Sequence, residues 1–426
     1  MAFSLFHTLQ LRWLLALLGL LLAAPLRAQS PLTPVQYQQD FAYFWTTVRD
    51  NYAYFDKKQT DWEQVRQLYA AQLPGVSSRA QFVRLLENAL NELYDPHASL
   101  STNLPDSRRL IPSGTDVWAE FRAGKARVVA VRAGFGAARA GLEPGAEILA
   151  INGQPVAEAL RPWLPRTLRA PDQAATDVAL NLALAGDHRT PRQLTVRTPT
   201  GHRVQLRPDL PIAQLEHIRY PALLESRQLG TVGYIRINNS LGDNRLIAAF
   251  DSALDALSTT TALVLDLRET PSGGNSTVAR ALMGRLITQE QEYQRHELVA
   301  EERTFGIRRS WVEVVSPRAR PYTRPVVVLV GRWTGSMAEG ITIGLDAMHR
   351  ATSLGTEMAR LRGAVTYFRL PNSSFGFTIP TERLYQPTGQ PREEFVPTRR
   401  LDLTRPSAAD ASLEQALELL NAPAKP

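Results

Sequence analysis

The chain has no cysteine in 426 residues, and only four of its 48 basic residues are lysines: Lys57, Lys58, Lys125 and Lys425. Without cysteine there is no disulfide, no thiol nucleophile, no thiolate metal site and no lipid-acceptor thiol. The seven histidines are dispersed, with no His-Glu-x-x-His and no close pair, so no metal site is expected and no cofactor is called for. The formal charge of +7 comes from arginines scattered among acids, with no dense basic run interleaved with aromatics. Nucleic acid is therefore not an expected partner, and the charge serves solubility. Past the N-terminus no apolar run approaches the roughly 20 residues of a membrane span.

The N-terminus itself reads as an export signal. Arg12 gives a positive flank, Trp13–Ala24 an apolar run too short to be a good anchor, and Pro25 ends it. Cleavage is expected after Ala28. An exported chain without cysteine fits a periplasmic or extracellular location.

At this length two to four structural units are expected. Residues 29–110 read as helical: Phe41, Phe44, Trp45 and Val48 recur at helical spacing, as do Phe82, Leu85, Leu86 and Leu90. Asp61 before Trp62 looks like an acidic helix cap. Pro96 stops the last helix and leaves His97 just beyond its end. Residues 111–210 change to short strands and turns, and the string Ala-Gly-Leu-Glu-Pro-Gly-Ala-Glu-Ile-Leu-Ala-Ile-Asn-Gly (Ala140–Gly153) resembles a PDZ domain. Gly134 and Gly136 are a poor dinucleotide loop, since no ribose-binding acid follows at the right place. Residues 211–426 alternate apolar strands (Val232–Ile237, Ala262–Leu267, Pro325–Val330) with helices (Leu241–Leu257, Thr277–Ile287, Met337–Met348), which predicts an α/β core. A final amphipathic helix is expected over 407–421.

Two segments carry chemistry. In Val326–Gly340 a buried strand runs through a turn to Ser336, where the next helix begins. Such a position exposes the hydroxyl and aims free N–H groups, Met337 among them, at whatever it attacks. Alone, Ser336 could equally be a helix cap. In Leu263–Asn275 a second buried strand leads to Gly273 and Gly274, whose lack of side chains permits close approach. Alone this could be an ordinary turn. Asp266 and Arg268 read as a structural ion pair.

Taken in order, Leu-Tyr-Asp-Pro-His (Leu93–His97), the PDZ-like string, Gly-Tyr-Ile-Arg-Ile (Gly233–Ile237), Leu-Asp-Leu-Arg-x-x-Pro-Ser-Gly-Gly (Leu265–Gly274) and Thr-Gly-Ser-Met-Ala-Glu (Thr334–Glu339) resemble the tail-specific (C-terminal processing) serine peptidases, in their tricorn-core-like branch. The resemblance implies a crotonase/ClpP-like ββα catalytic core behind an N-terminal helical domain and a PDZ-like domain. It implies hydrolysis of peptide bonds in unfolded or C-terminally exposed proteins through a Ser336 acyl-enzyme. Oxyanion donors would come from Met337, Gly273 and Gly274, and the PDZ-like domain would capture an extended C-terminus by strand addition.

One branch of that family uses a lysine base after the serine. The corresponding segment here, Gly355–Gly363, holds Arg360 and Arg362, and arginine cannot act as a base. The tricorn-like branch implies His97 as general base, with His349 and His296 as lesser candidates. It also implies a late glutamate before Val-Pro, which is Glu394 or, as the alternative, Glu393. The serine that precedes the histidine in that branch is Pro96 here, so the hydrogen-bond link from glutamate through that serine is missing, and the glutamate would orient His97 or its neighbour directly, through water or not at all. The rival reading is a peptide-binding module that no longer cuts.

Overall fold

The computed structural model describes residues 32–209, 222–401 and 410–422. The expected export signal at 1–28 lies outside them. Among the described residues no helix is long and apolar enough to cross a membrane.

Three helices open the described residues: α1 (Pro34–Asn51), α2 (Trp62–Ala70) and α3 (Arg79–Asn91). Each starts at a side-chain cap. Thr33 and Gln36 form a reciprocal capping box, Asp61 accepts from the N–H groups of Glu63 and Gln64, and Ser78 accepts from Gln81. Phe41, Phe44, Val48, Phe82, Leu86 and Leu90 are buried together, as their spacing predicts. Helix α3 ends at Asn91 rather than at Pro96; a turn through Tyr94, whose φ is +34°, intervenes before His97. The two-residue strand β1 (Ser99–Leu100) follows at once.

A β-rich unit comes next: β2 (Val117–Arg122), β3 (Lys125–Val131), α4 (Gly136–Arg139), β4 (Glu147–Ile151), β5 (Gln154–Pro155), α5 (Val156–Ala159), α6 (Gln173–Ala185), β6 (Leu194–Arg197) and β7 (Arg203–Leu206). Its strand order is β2-β3-β4-β6-β7, with β5 beside β4, so β2 is an edge. Val117, Ala119, Leu180 and Leu184 join the unit's own core.

The remaining elements are β8 (Leu224–Leu229), β9 (Val232–Ile237), α7 (Arg245–Ala256), β10 (Ala262–Asp266), α8 (Ser276–Gly284), β11 (Gln291–Leu298), α9 (Val299–Phe305), β12 (Arg309–Val315), β13 (Val326–Val330), α10 (Met337–Ala347), β14 (Thr352–Gly355), β15 (Ala364–Arg369), β16 (Gly376–Tyr385), β17 (Arg399–Arg400) and α11 (Ala411–Asn421). Strands β9, β10, β13, β14 and β17 run parallel in the order β17-β14-β13-β10-β9, and β8 closes the far edge antiparallel. All five residues of β10 and of β13 are buried, as expected for a parallel sheet covered on both faces. Burying each such aliphatic side chain stabilises the fold by about 1.5–3 kcal/mol. An antiparallel sheet, β1-β16-β11-β12 with β15 on β16, packs beside it.

Strand β1 ties the helical segment to this second sheet: Ser99 pairs with Thr378 and Leu100 with Phe377. The apolar side chains of α1 and α3 also share one core with Phe377 and Ile379. The helical segment is thus docked on β16, and this fixes where His97 stands.

Candidate active site

Strand β13 delivers the chain into the turn Gly331–Gly335, and Ser336 caps α10. Its backbone lies at φ +52°, ψ −113°, a region a side-chain-bearing residue rarely occupies. Two restraints hold it there. The Ser336 N–H donates to Glu339 Oε2 at 2.8 Å, and the turn pairs with the β10 loop through Thr270 N–H to the Trp333 carbonyl (3.0 Å) and Gly335 N–H to the Thr270 carbonyl (3.2 Å).

Gly273, at φ +63°, packs directly on the serine. A Cβ there would lie 2.4 Å from Ser336 Cβ and 2.9 Å from the Met337 nitrogen, so only glycine fits. Its own N–H is donated to the Thr270 carbonyl at 3.2 Å. The expectation that Gly273 supplies an oxyanion donor is corrected accordingly: the residue serves close approach, and its amide closes a turn. Gly274 is equally confined, since a Cβ there would meet the Leu241 carbonyl at 2.2 Å. The Met337 N–H belongs to the first turn of α10, where amides lack helical partners.

His97 Nε2 lies 3.1 Å from Ser336 Oγ, across 239 positions of sequence, and its Nδ1 lies 2.7 Å from the Arg362 carbonyl oxygen. A carbonyl can only accept, so Nδ1 carries the proton and Nε2 is free to accept from the serine hydroxyl. Burial pushes the imidazole pKa down to about 4; the Arg362 carbonyl opposes that shift and the Arg392 charge adds to it. The turn that presents His97 is pinned by Asp95, which accepts the His97 N–H at 3.0 Å and the Tyr52 hydroxyl at 2.6 Å.

The group that orients the ring at Nδ1 is therefore a backbone carbonyl rather than a late glutamate. Glu394 is exposed, Glu393 is half-buried, and neither bonds His97. The same late segment acts through Arg392 instead. Its buried guanidinium donates to the carbonyls of Leu361 (2.7 Å) and Gly363 (3.1 Å). Gripping the carbonyls on either side leaves the intervening Arg362 carbonyl turned toward His97. Glu339 anchors the loop from the other direction, accepting the N–H groups of Arg360 (2.8 Å) and Leu361 (3.2 Å) as well as that of Ser336. Burial raises the Glu339 pKa to about 7, partly offset by the Arg392 charge and these three donors. The segment in which the other branch keeps a lysine base here supplies only its backbone.

The lesser candidates stand elsewhere. His349 is exposed past the C-terminal end of α10, about 16 Å along the helix from Ser336. His296 lies on β11 between Glu382 (2.7 Å) and Glu313 (3.3 Å), with its ring stacked on Trp311. Asp266 and Arg268 do pair, at 2.6 Å, with Tyr234 and Asp410 completing the cluster. Sequence reasoning missed Glu339 and Arg392. The first had a signal, since Ser-x-x-Glu at a helix start is a capping box; the second had none.

A cleft of about 550 Å³ opens beside His97, lined by Pro96, Arg362 and Glu393 together with Trp118 and Asn181 of the β-rich unit. Lys58 lies buried in its wall. The Lys58 Nζ donates to the Tyr94 carbonyl at 3.0 Å and lies over the Tyr94 ring, and burial lowers its pKa to about 7.

Residues 231–398 match the model of Peptidase family S41, and residues 34–91 match the Tricorn protease C1 domain. Comparison with curated proteins finds no match. Among solved structures, mature CPAF complexed with lactacystin is 17% identical with a TM-score of 0.58, and the alignment covers 91% of this chain and 97% of that one. The photosystem II D1 C-terminal processing protease is 19% identical with a TM-score of 0.56, over the same shares. A putative peptidase from Parabacteroides merdae is 14% identical with a TM-score of 0.53, again over 91% and 97%. At these identities the structures establish a shared fold. The S41 match over the Ser336 region and the tricorn match over the helical segment place the chain in a class, the serine-type peptidases. More narrowly, residues 231–398 carry the likeness to the S41, or tail-specific, protease family.

Proposed function

We propose that this peptidase is an exported endopeptidase that cuts unfolded or C-terminally exposed proteins, with Ser336 as nucleophile and His97 as general base. The observation that carries the reading is the pair of contacts on one ring, Nδ1 to a carbonyl and Nε2 to the serine hydroxyl. Ser336 Oγ attacks the substrate carbonyl as its proton passes to His97 Nε2. The oxyanion forms beside the Met337 N–H, with Gly274 as the second donor in this reading. The tetrahedral species collapses as His97 returns the proton to the leaving amine. Water, deprotonated by the same nitrogen, then releases the acyl group. The imidazolium formed in each half-reaction is stabilised by the Arg362 carbonyl, a weaker partner than a carboxylate.

The test is cleavage of casein by the mature chain, beside Ser336→Ala and His97→Ala. Each variant is expected to lose about 10⁴-fold or more in kcat/KM. Undiminished cleavage by either variant would remove that residue from its role.

A further inference from the structure

The sheet of the β-rich unit has two edge strands, β2 and β7, and the edge beside the catalytic loops, the outer side of β2, is already filled from within the unit. Along an antiparallel edge, alternate residues turn both backbone groups outward, and on β2 these are Val117, Ala119 and Phe121. Asn181 of α6 binds Ala119 as a neighbouring strand would: its side-chain carbonyl accepts the Ala119 N–H at 3.0 Å and its amide donates to the Ala119 carbonyl at 2.8 Å. One turn earlier on the helix, Asp177 accepts the Phe121 N–H at 2.9 Å. At the other end the Thr115 hydroxyl donates to the Val117 carbonyl at 2.8 Å and accepts the Val117 N–H at 3.3 Å. Asn181, Ala119 and Val117 are all buried. An incoming peptide strand would have to break these bonds and displace α6, whose Leu180 and Leu184 share the unit's core with β2.

The next residues along the strand, Trp118 and Glu120, reach the catalytic loops. Arg332 pairs with Glu120 and lies over the Trp118 ring, and the Trp333 indole N–H donates to the Thr115 carbonyl at 2.8 Å. Arg132 pairs with Glu269 at 2.8 Å. These partners sit in the turn before Ser336 and in the loop leading to Gly273. The helix that fills the edge also lines the cleft beside His97, through Asp177 and Asn181.

We infer that the β2 edge of the β-rich unit does not capture chain ends by strand addition but is a fixed wall of the catalytic cleft, so that the protein accepts internal segments of unfolded chains and gains nothing from a free C-terminal carboxylate. The inference rests on the endopeptidase reading for its substrate, while the closed edge stands without it.

The experiment uses one unstructured peptide with an apolar C-terminal residue, made as the free acid and as the amide. Binding to the Ser336→Ala chain is followed by fluorescence anisotropy, and cleavage of both peptides by the parent chain is followed in parallel. The expected result is equal affinity for the two peptides, or none for either, and kcat/KM values within about twofold of each other. A free acid bound or cut about tenfold better than the amide, a difference of about 1.4 kcal/mol, would overturn the inference. If the parent cuts neither peptide nor casein, the endopeptidase reading fails, and the binding arm still decides whether chain ends are captured.

Discussion

His97 and His296 are both enclosed histidines, and their neighbours differ in charge. His97 has a neutral carbonyl on Nδ1 and a serine hydroxyl on Nε2, and burial drives its pKa down to about 4. His296 lies between the carboxylates of Glu382 and Glu313, which outweigh burial and raise its pKa. A general base must be neutral at working pH, so the ring without carboxylates is better suited to take a proton than the ring between two of them. His296 ties β11 to β12 and β16 through Glu313 and Glu382. The contrast shows why counting histidines near a nucleophile says little until the partner of each ring nitrogen is known.

The sharpest way to break the contrast is to loosen the carbonyl that orients His97. Replacing Arg392 by Met removes both grips on the 361–363 loop and leaves two carbonyls without their donor. Single-turnover and steady-state kinetics should show kcat reduced by about 10²-fold with KM little changed, in line with losses on removing a group that orients a catalytic one. Arg392→Lys should recover part of it. A fall in KM and kcat alike, or no change in either, would deny Arg392 this positioning role. Stability should also drop by about 1–3 kcal/mol, read from denaturant melts.

A pH series sharpens the same contrast. Because the His97 pKa is depressed, kcat/KM should hold on the acid side until about pH 4 rather than falling near the ordinary 6.5. An acid limb at 6.5 would mean that the working ring is solvated. Stability moves in opposite senses at the two sites. The depressed His97 costs the fold stability as pH falls from 6.5 toward 4, because the unfolded chain takes the proton first. The raised His296 contributes stability that is complete below 6.5 and is lost as pH rises through its higher folded value. The melting-temperature deficit of His296→Asn relative to the parent should therefore be largest below pH 6.5 and shrink above it, while cleavage stays within a few-fold.

The smallest expected effect is at Glu394. Glu394→Ala should leave kcat/KM within about threefold, as for an exposed side chain away from buried networks. A loss of about 10²-fold would return it to the relay.

Much of this site could be read from residues alone. The apolar runs of β10 and β13, the paired glycines and the serine at a helix start follow from local rules that the chain obeys. His97 was reached through Asp-Pro-His, whose turn is fixed by the Asp95 side chain. What could not be read was the partner of Nδ1. A backbone carbonyl carries no sequence signature, because every residue has one and only the fold selects Arg362. The expectation of a late acid landed one turn away from the residue that matters: Arg392, two positions before Glu394, reaches inward while Glu394 faces solvent. The amide of Gly273 was misassigned for a similar reason, since glycine signals closeness but does not say where its N–H goes.

The two-residue strand β1 makes the site a joint product of the early and late parts of the chain. It holds His97 against β16, while the carbonyl behind the ring comes from the loop before β15 and the guanidinium behind that carbonyl from residue 392. A chain made from its N-terminus emerges with its base early and its serine late, and the parts that align the two come later still. A nascent or truncated copy ending before Arg392 would carry Ser336, His97 and the Arg362 carbonyl but not the guanidinium that grips the loop behind that carbonyl.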